Sequence, residues 1–218
     1  MVIFDCNGVL VDSEPLATSI VSQEFIRAGF NLTPDIVARY FTGRRPADMF
    51  AEVEIAAGRK LPPGFAGTVA SATLRRFRAE LRATAHMAQA LSWLRGPKCV
   101  ASSSTFDRIL VSLESTDLIR YFDPYLFSAI EVRNGKPAPD LFLYAAGKMH
   151  VEPRHCIVVE DSAVVVAAGV AAGMTAVGFV GGSHAGPRLT EQLRAAGARA
   201  VVSDMRALKG TIIDLRGW

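Results

Sequence analysis

Residues 2–12 read VIFDCNGVLVD, a short apolar run that ends in a carboxylate. The run Val2-Ile3-Phe4 predicts a buried β-strand, and Gly8 suits a tight turn after it. In open α/β sheets, ligands bind beyond the carboxyl ends of the strands. We therefore expect Asp5 to be a reacting carboxylate. Asn7 follows two residues later, and its amide can form hydrogen bonds but cannot exchange a proton near neutral pH.

The composition is that of a globular protein of one or two domains. The chain has 218 residues, of which 50% are hydrophobic and 21% charged, and its formal net charge is +3. That charge is too small to indicate nucleic acid, and no apolar run reaches the ~20 residues of a membrane span. Three cysteines in or beside apolar runs and no recognisable secretory leader indicate the reducing cytoplasm. We expect a cytoplasmic monomer with neither nucleic acid nor membrane as partner.

The pattern changes along the chain from helical to alternating. Residues 14–85 carry helix-like patterns with little strand signal, and from His86 onward strand-like and helix-like segments alternate. After the first strand, buried strands are predicted at residues 99–101, 125–127, 156–159, 175–179 and 200–202. This order predicts an α/β fold, a doubly wound parallel sheet with a helical insert after its first strand.

Polar residues follow the predicted strands at four places. They are Asp5, the serines 102–104, Lys136 within Gly135-Lys136-Pro137, and the pair Glu160-Asp161. Each alone has an ordinary explanation, such as a solvated turn or a helix cap. Because parallel strands present their carboxyl ends at one edge of the sheet, we expect all four to converge on one crevice.

Together these residues supply what phosphoryl transfer requires. Asp5 is a carboxylate nucleophile, and Asp5 with Asp161 offers the hard oxygen ligands that Mg²⁺ prefers. Ser102 and Lys136 offer a hydrogen bond and a positive charge to the phosphoryl oxygens. The sequence thus favours a Mg²⁺-dependent phosphoryl-transfer site.

The same residues carry a family resemblance. The motifs are DxNGVLVDS at 5–13, Ser102, GKPAPD at 135–140, and EDS at 160–162 followed by AAGM at 171–174. The chain resembles the haloacid dehalogenase superfamily, in its phosphatase and β-phosphoglucomutase-like branch with a helical C1-type cap. The motifs extend from residue 5 to about residue 174 and therefore cover most of the chain.

The resemblance implies a Rossmann-like core of residues 1–13 and 86–218 and a helical cap domain of residues 14–85. It makes Asp5 the nucleophile that forms an aspartyl-phosphate, with Ser102 and Lys136 holding the phosphate and Ser103 beside the substrate. It implies that Mg²⁺ is bound by Asp5, Asp161 and the backbone carbonyl of Asn7, and by Glu160 through water. The implied partner is a small phosphorylated metabolite.

Asn7 departs from the family pattern. The family's phosphatases have at this position an Asp that acts as general acid and then as general base. The catalytic contribution of such a group is roughly 10²- to 10⁴-fold, so Asn7 predicts reduced turnover of poor leaving groups. There are three explanations for Asn at this position: an engineered trap, a naturally weakened enzyme, and a shift to other chemistry.

Two other features argue against the related reactions of the family. Ala17 stands where the family's mutases carry a His, which argues against mutase chemistry. Glu160-Asp161 is an acidic pair that the dehalogenases lack, which argues against halide displacement. Arg44 and Arg45 lie in the predicted loop 42–46, where relatives have a residue that recognises the substrate. Arg binds phosphate or carboxylate well. A merely solvated loop is the alternative for them.

We therefore expect a Mg²⁺-dependent phosphomonoester hydrolase for a small sugar or organic phosphate, impaired by Asn7. The alternative is a protein that binds a phosphorylated ligand without turning it over. A phosphosugar mutase and a 2-haloacid dehalogenase are less favoured.

Overall fold

A computed structural model describes residues 1–41 and 46–216 of the chain. The chain divides into two compact units, one made of Met1–Asp12 with Arg82–Trp218 and the other of Ser13–Leu81. We call them the core unit and the helical unit. Arg44 and Arg45 lie outside the described residues.

The core unit contains a parallel sheet, and within the described residues it has six strands. They are β1 (Val2–Phe4), β2 (Lys98–Ser102), β3 (Leu126–Ser128), β4 (Ile157–Glu160), β5 (Thr175–Phe179) and β6 (Ala200–Val202), in the spatial order β3-β2-β1-β4-β5-β6. This is the order of the doubly wound Rossmann sheet. The predicted α/β fold class is confirmed.

The register of the sheet places the ends of its central strands side by side. Phe4 of β1 is opposite Val100 of β2 on one side and opposite Val159 of β4 on the other. The chain therefore leaves β1 and β4 at the same edge, and the strand order reverses there. This is the place where doubly wound sheets bind their ligands.

Helices of the core unit alternate with the strands. They are α5 (Met87–Trp93), α6 (Phe106–Ser115), α7 (Asp140–Lys148), α8 (Ala163–Ala171), α9 (Leu189–Ala195) and α10 (Leu208–Arg216). Successive side chains of a strand point to opposite faces of the sheet. Ile3 accordingly packs in a cluster with Phe142 and Val158, whereas the ring of Phe4 contacts that of Phe122, with centroids 5.8 Å apart.

The helical unit has an aromatic core of its own. Its described helices are α1 (Glu14–Arg27), α2 (Pro34–Phe41), α3 (Pro46–Ala57) and α4 (Phe65–Glu80). Phe25 is completely buried, and its ring lies 4.9 Å from that of Phe65. Arg59 covers Phe30, with its guanidinium carbon 3.9 Å from the ring centroid. Among residues 1–41 and 46–216, no helix is long and apolar enough to cross a membrane.

Candidate active site

Asp5 lies directly after β1, at the edge where β1 and β4 end. Its backbone N–H donates to the carbonyl of Val159 at 3.1 Å, so the residue continues the pairing of the two strands. The chain then turns sharply, because Gly8 has φ of +76° and its N–H donates to the carbonyl of Val11 at 2.8 Å. Only 8% of Asp5 is exposed. The turn therefore fixes a nearly buried carboxylate at the sheet edge.

Lys136 contacts both Asp5 after β1 and Glu160 at the end of β4. Its Nζ donates to Oδ1 of Asp5 at 2.6 Å and to Oε1 of Glu160 at 3.1 Å. The side chain is 2% exposed and is carried by the loop that follows β3. One buried ammonium thus compensates two buried carboxylates, a geometry in which charge-assisted hydrogen bonds are strong.

Burial dominates the protonation behaviour of this cluster. Burial raises the pKa of Asp5 to about 6, against the opposing effect of Lys136. It raises the pKa of Glu160 to about 7, where the charge of Lys136 again opposes and that of Asp161 adds to the rise. Burial alone would lower the pKa of Lys136, but the two carboxylates raise it instead. Lys136 therefore stays charged near neutral pH, and Asp5 is largely ionised, as a nucleophile must be.

Asp5, Glu160 and Asp161 form a group of oxygen donors. Each offers a carboxylate oxygen, and these oxygens lie within 4.8 Å of one another. Glu160 already accepts two hydrogen bonds, from Lys136 and, at 2.8 Å, from the backbone N–H of Asp161. An all-oxygen set with carboxylates fits Mg²⁺, which binds proteins through one or two carboxylates and keeps several waters. The donor set therefore fits the cation.

The serines after β2 contact the turn after β1. Asn7 Nδ2 donates to Oγ of Ser104 at 2.8 Å. Ser102 is completely buried, and its Oγ accepts from the backbone N–H of Ser104 at 3.2 Å, whereas Ser103 is exposed. The structure thus brings Asn7 to the serines 102–104, which the sequence pattern placed at this edge, through a bond to Ser104.

His184 is a further residue of the site that sequence reasoning missed. It follows β5, and its Nε2 lies 2.9 Å from Oδ2 of Asp161. The two side chains line an open surface cavity of about 410 Å³ together with Arg188 and Gln192. The available signal was a His that follows Gly181, Gly182 and Ser183, shortly after the end of a predicted strand.

The chain is similar to known hydrolases. A family model described as haloacid dehalogenase-like hydrolase matches residues 1–173. The chain is 32% identical over 187 residues to the 6-phosphogluconate phosphatase of Escherichia coli K12, and the match covers 85% of each chain. It is 29% identical over 205 residues to a phosphorylated carbohydrates phosphatase of Thermotoga maritima, covering 92% of this chain and 93% of the relative.

A solved structure is similar to this chain over nearly its full length. It is a conserved haloacid dehalogenase-like protein of unknown function from Agrobacterium tumefaciens, which superposes with a TM-score of 0.85 at 33% sequence identity. The match covers 99% of this chain and 98% of that one.

Proposed function

This chain belongs to the haloacid dehalogenase-like hydrolases and is an enzyme of the phosphatase type, and we propose that it hydrolyses small sugar phosphates with Asp5 as the nucleophile and Mg²⁺ as the cofactor. The contact between Asp5 and Lys136, both buried at the sheet edge, carries the proposal. It combines a carboxylate that is ionised near neutral pH with a fixed positive charge beside it. Such a pair suits attack on an anionic phosphate ester.

The substrate class follows from the relatives. One is named for 6-phosphogluconate and another for phosphorylated carbohydrates, and both cover most of this chain. We further propose that the helical unit is the cap domain that recognises the sugar. Arg44 and Arg45 would bind the charged groups of that sugar. A guanidinium matches carboxylate and phosphate oxygens in a bidentate geometry.

In the first step, a carboxylate oxygen of Asp5 attacks phosphorus and the bond from phosphorus to the leaving sugar oxygen breaks. Lys136 lowers the repulsion between carboxylate and phosphate, and Ser102 and Lys136 hold the phosphoryl group. The departing sugar oxygen takes its proton from solvent water. In the second step, water attacks the phosphorus of the aspartyl-phosphate and the bond from phosphorus to the Asp5 oxygen breaks. The attacking water gives its proton to solvent, inorganic phosphate leaves, and Asp5 is regenerated as a carboxylate.

Mg²⁺ would be held by Asp5, Asp161 and the backbone carbonyl of Asn7, with Glu160 acting through water. When bound, the cation supplies positive charge to the transferring phosphoryl group. The oxygen-only donor set of this site supports that assignment.

Asn7 slows both steps in this scheme. Its amide can neither protonate the leaving oxygen nor accept a proton from water, and its Nδ2 instead donates to Ser104. We therefore propose a phosphatase that works slowly on alkyl phosphates. The same proposal makes it a monomer of the reducing cytoplasm, where the buried thiols Cys6, Cys99 and Cys156 stay reduced.

The test is turnover of a panel of sugar phosphates with Mg²⁺ and with a chelator in its place. The proposal expects phosphate release that requires the cation and disappears in Asp5→Asn, whose side chain is of similar size. Binding of a sugar phosphate without any release would point to a ligand-binding protein. Halide release from a 2-haloacid without metal would point to a dehalogenase.

A further inference from the structure

His184, in the loop that follows β5 of the core unit, contacts Asp161. Its Nε2 lies 2.9 Å from Oδ2 of Asp161, and the two side chains are 20% and 13% exposed. A carboxylate only accepts hydrogen bonds, so the hydrogen of this contact is on Nε2. The imidazole thus donates to one oxygen of a carboxylate that faces the Asp5 cluster.

Two glycines make room for the imidazole ring. A Cβ atom on Gly182 would lie 2.7 Å from Cε1 and 2.8 Å from Nδ1 of His184, and 3.1 Å from the carbonyl oxygen of Gly8. A Cβ atom on Gly8 would lie 1.9 Å from Oδ2 of Asp161 and 2.9 Å from Cε1 of His184. A larger residue at position 182 would therefore displace the ring, and one at position 8 would displace the carboxylate of Asp161 first and the ring as well. The ring therefore occupies a niche that exists because residues 8 and 182 are glycines.

The loop that carries His184 is fastened to the turn after β1. Ser183 donates to Oδ1 of Asp12 twice, from Oγ at 2.7 Å and from its backbone N–H at 3.3 Å. The N–H of Ala185 closes a turn on the carbonyl of Gly182 at 3.0 Å. The position of the imidazole is thus set by backbone and side-chain contacts on both sides of residue 184.

We propose that His184 is a positioning residue for Asp161, fixing one carboxylate oxygen so that the carboxylate is oriented for Mg²⁺. The inference rests on the proposed function, because it assumes a cation at Asp161. Hydrogen bonds to metal-binding side chains orient them, and losing one such bond typically costs 10- to 100-fold in metal affinity or activity. His184 acts through Asp161 and takes no part in the chemical steps.

The test is calorimetric titration of Mg²⁺ into the full chain and four variants. His184→Ala should raise the Kd for Mg²⁺ by about 10-fold or more, and His184→Gln, whose amide can still donate, should recover most of that loss. Gly182→Ala should raise the Kd without removing the imidazole. Gly186→Ala is the matched control, because a Cβ there meets nothing within 4 Å, and its Kd should equal that of the parent chain.

A double variant tests whether the methyl group added by Gly182→Ala acts by displacing the His184 ring or in another way. If Gly182→Ala acts by displacing His184, adding it to His184→Ala should raise the Kd no further, a non-additivity that a mutant cycle measures. Independent, additive losses would overturn the inference. Should His184→Ala fail to fold, the Gln and Gly182→Ala variants carry the same test.

The outcomes also distinguish this inference from the proposed function. Mg²⁺ binding by the parent chain that is lost in Asp161→Asn would uphold the metal site. An unchanged Kd in both His184→Ala and Gly182→Ala would then overturn the role of His184 alone, even if kcat fell. No Mg²⁺ binding by the folded parent chain would instead refute the proposed function.

Discussion

Asp5 and Lys136 are separated by 131 positions in the chain, yet Nζ of Lys136 lies 2.6 Å from Oδ1 of Asp5. Both side chains are almost entirely buried, and the same ammonium also reaches Glu160 at 3.1 Å. Removing charges from water is costly, and the cost is offset only when the partners are well placed. The site therefore depends on Lys136 for its stability as well as for its proposed chemistry.

Replacing Lys136 by methionine should destabilise the protein strongly. The change leaves the carboxylates of Asp5 and Glu160 buried without their cation, and breaking a buried ion pair in this way costs about 3–5 kcal/mol. Urea unfolding at about pH 8 measures the loss. Lys60→Met is the control, since Lys60 pairs with Glu54 at 2.8 Å but is 87% exposed, and its unfolding midpoint should stay near that of the parent chain. Equal midpoints for both variants would contradict the role given to Lys136.

The metal-free protein should lose stability from Asp5 and Glu160 as the pH rises. Their pKa values in the folded state, about 6 and about 7, exceed the ordinary values of 3.8 and 4.5. Between these limits the folded state binds more protons than the unfolded state, so the free energy of unfolding from these groups falls as pH increases. The contribution of Asp5 and Glu160 to the free energy of unfolding is complete below about pH 4 and is lost by about pH 7.

Unfolding in urea with a chelator, at several values between about pH 4.5 and pH 7.5, measures this dependence. Other carboxylates titrate in the same range, so the informative quantity is the difference from a variant with Asp5→Asn and Glu160→Gln. The parent chain should lose more stability than that variant as the pH rises. Parallel pH profiles would contradict the pKa shifts.

Replacing Arg44 and Arg45 together by alanine should weaken the binding of charged sugars. If the two guanidinium groups bind substrate carboxylate or phosphate, KM should rise more for a sugar phosphate with an acidic group than for a small aryl phosphate. Steady-state kinetics with both substrates measures the ratio. An equal effect on the two substrates, or none, would favour a solvated loop.

The sheet and much of the site were predictable because both follow from local pattern. Each strand is a short apolar run, polar residues follow four of the predicted strands, and parallel pairing then brings Asp5, Lys136, Glu160 and Asp161 to one edge. That prediction needed the order of the elements but no loop geometry.

What sequence reasoning missed depends on loop paths. His184 reaches Asp161 only because Gly8 and Gly182 leave space for its ring, and the bond from Asn7 to Ser104 depends on how two loops turn at the sheet edge. Such contacts between residues far apart in the chain have no periodic pattern. The sharing of Lys136 between two carboxylates is of the same kind.

In the proposed mechanism, Asp5 is phosphorylated and Asn7 limits the reaction. The phenol of an aryl phosphate leaves without much protonation, so the first step should proceed, whereas the second step lacks a base to activate water. The aspartyl-phosphate should therefore accumulate. Asn7→Asp should restore the proton relay. Both Asn7→Asp and Asn7→Ala remove the amide that donates to Ser104, but only Asp adds an acid and base, so Asn7→Ala is the matched control.

The most direct measurement is rapid mixing of an aryl phosphate and Mg²⁺ with the parent chain, Asn7→Asp and Asn7→Ala. The parent chain and the Ala variant should show a burst of phenol followed by slow turnover. The Asp variant should show no burst and a steady turnover faster by ~10²-fold or more. A parent chain without a burst, together with an Asp variant that is no faster, would mean that Asn7 does not limit the reaction.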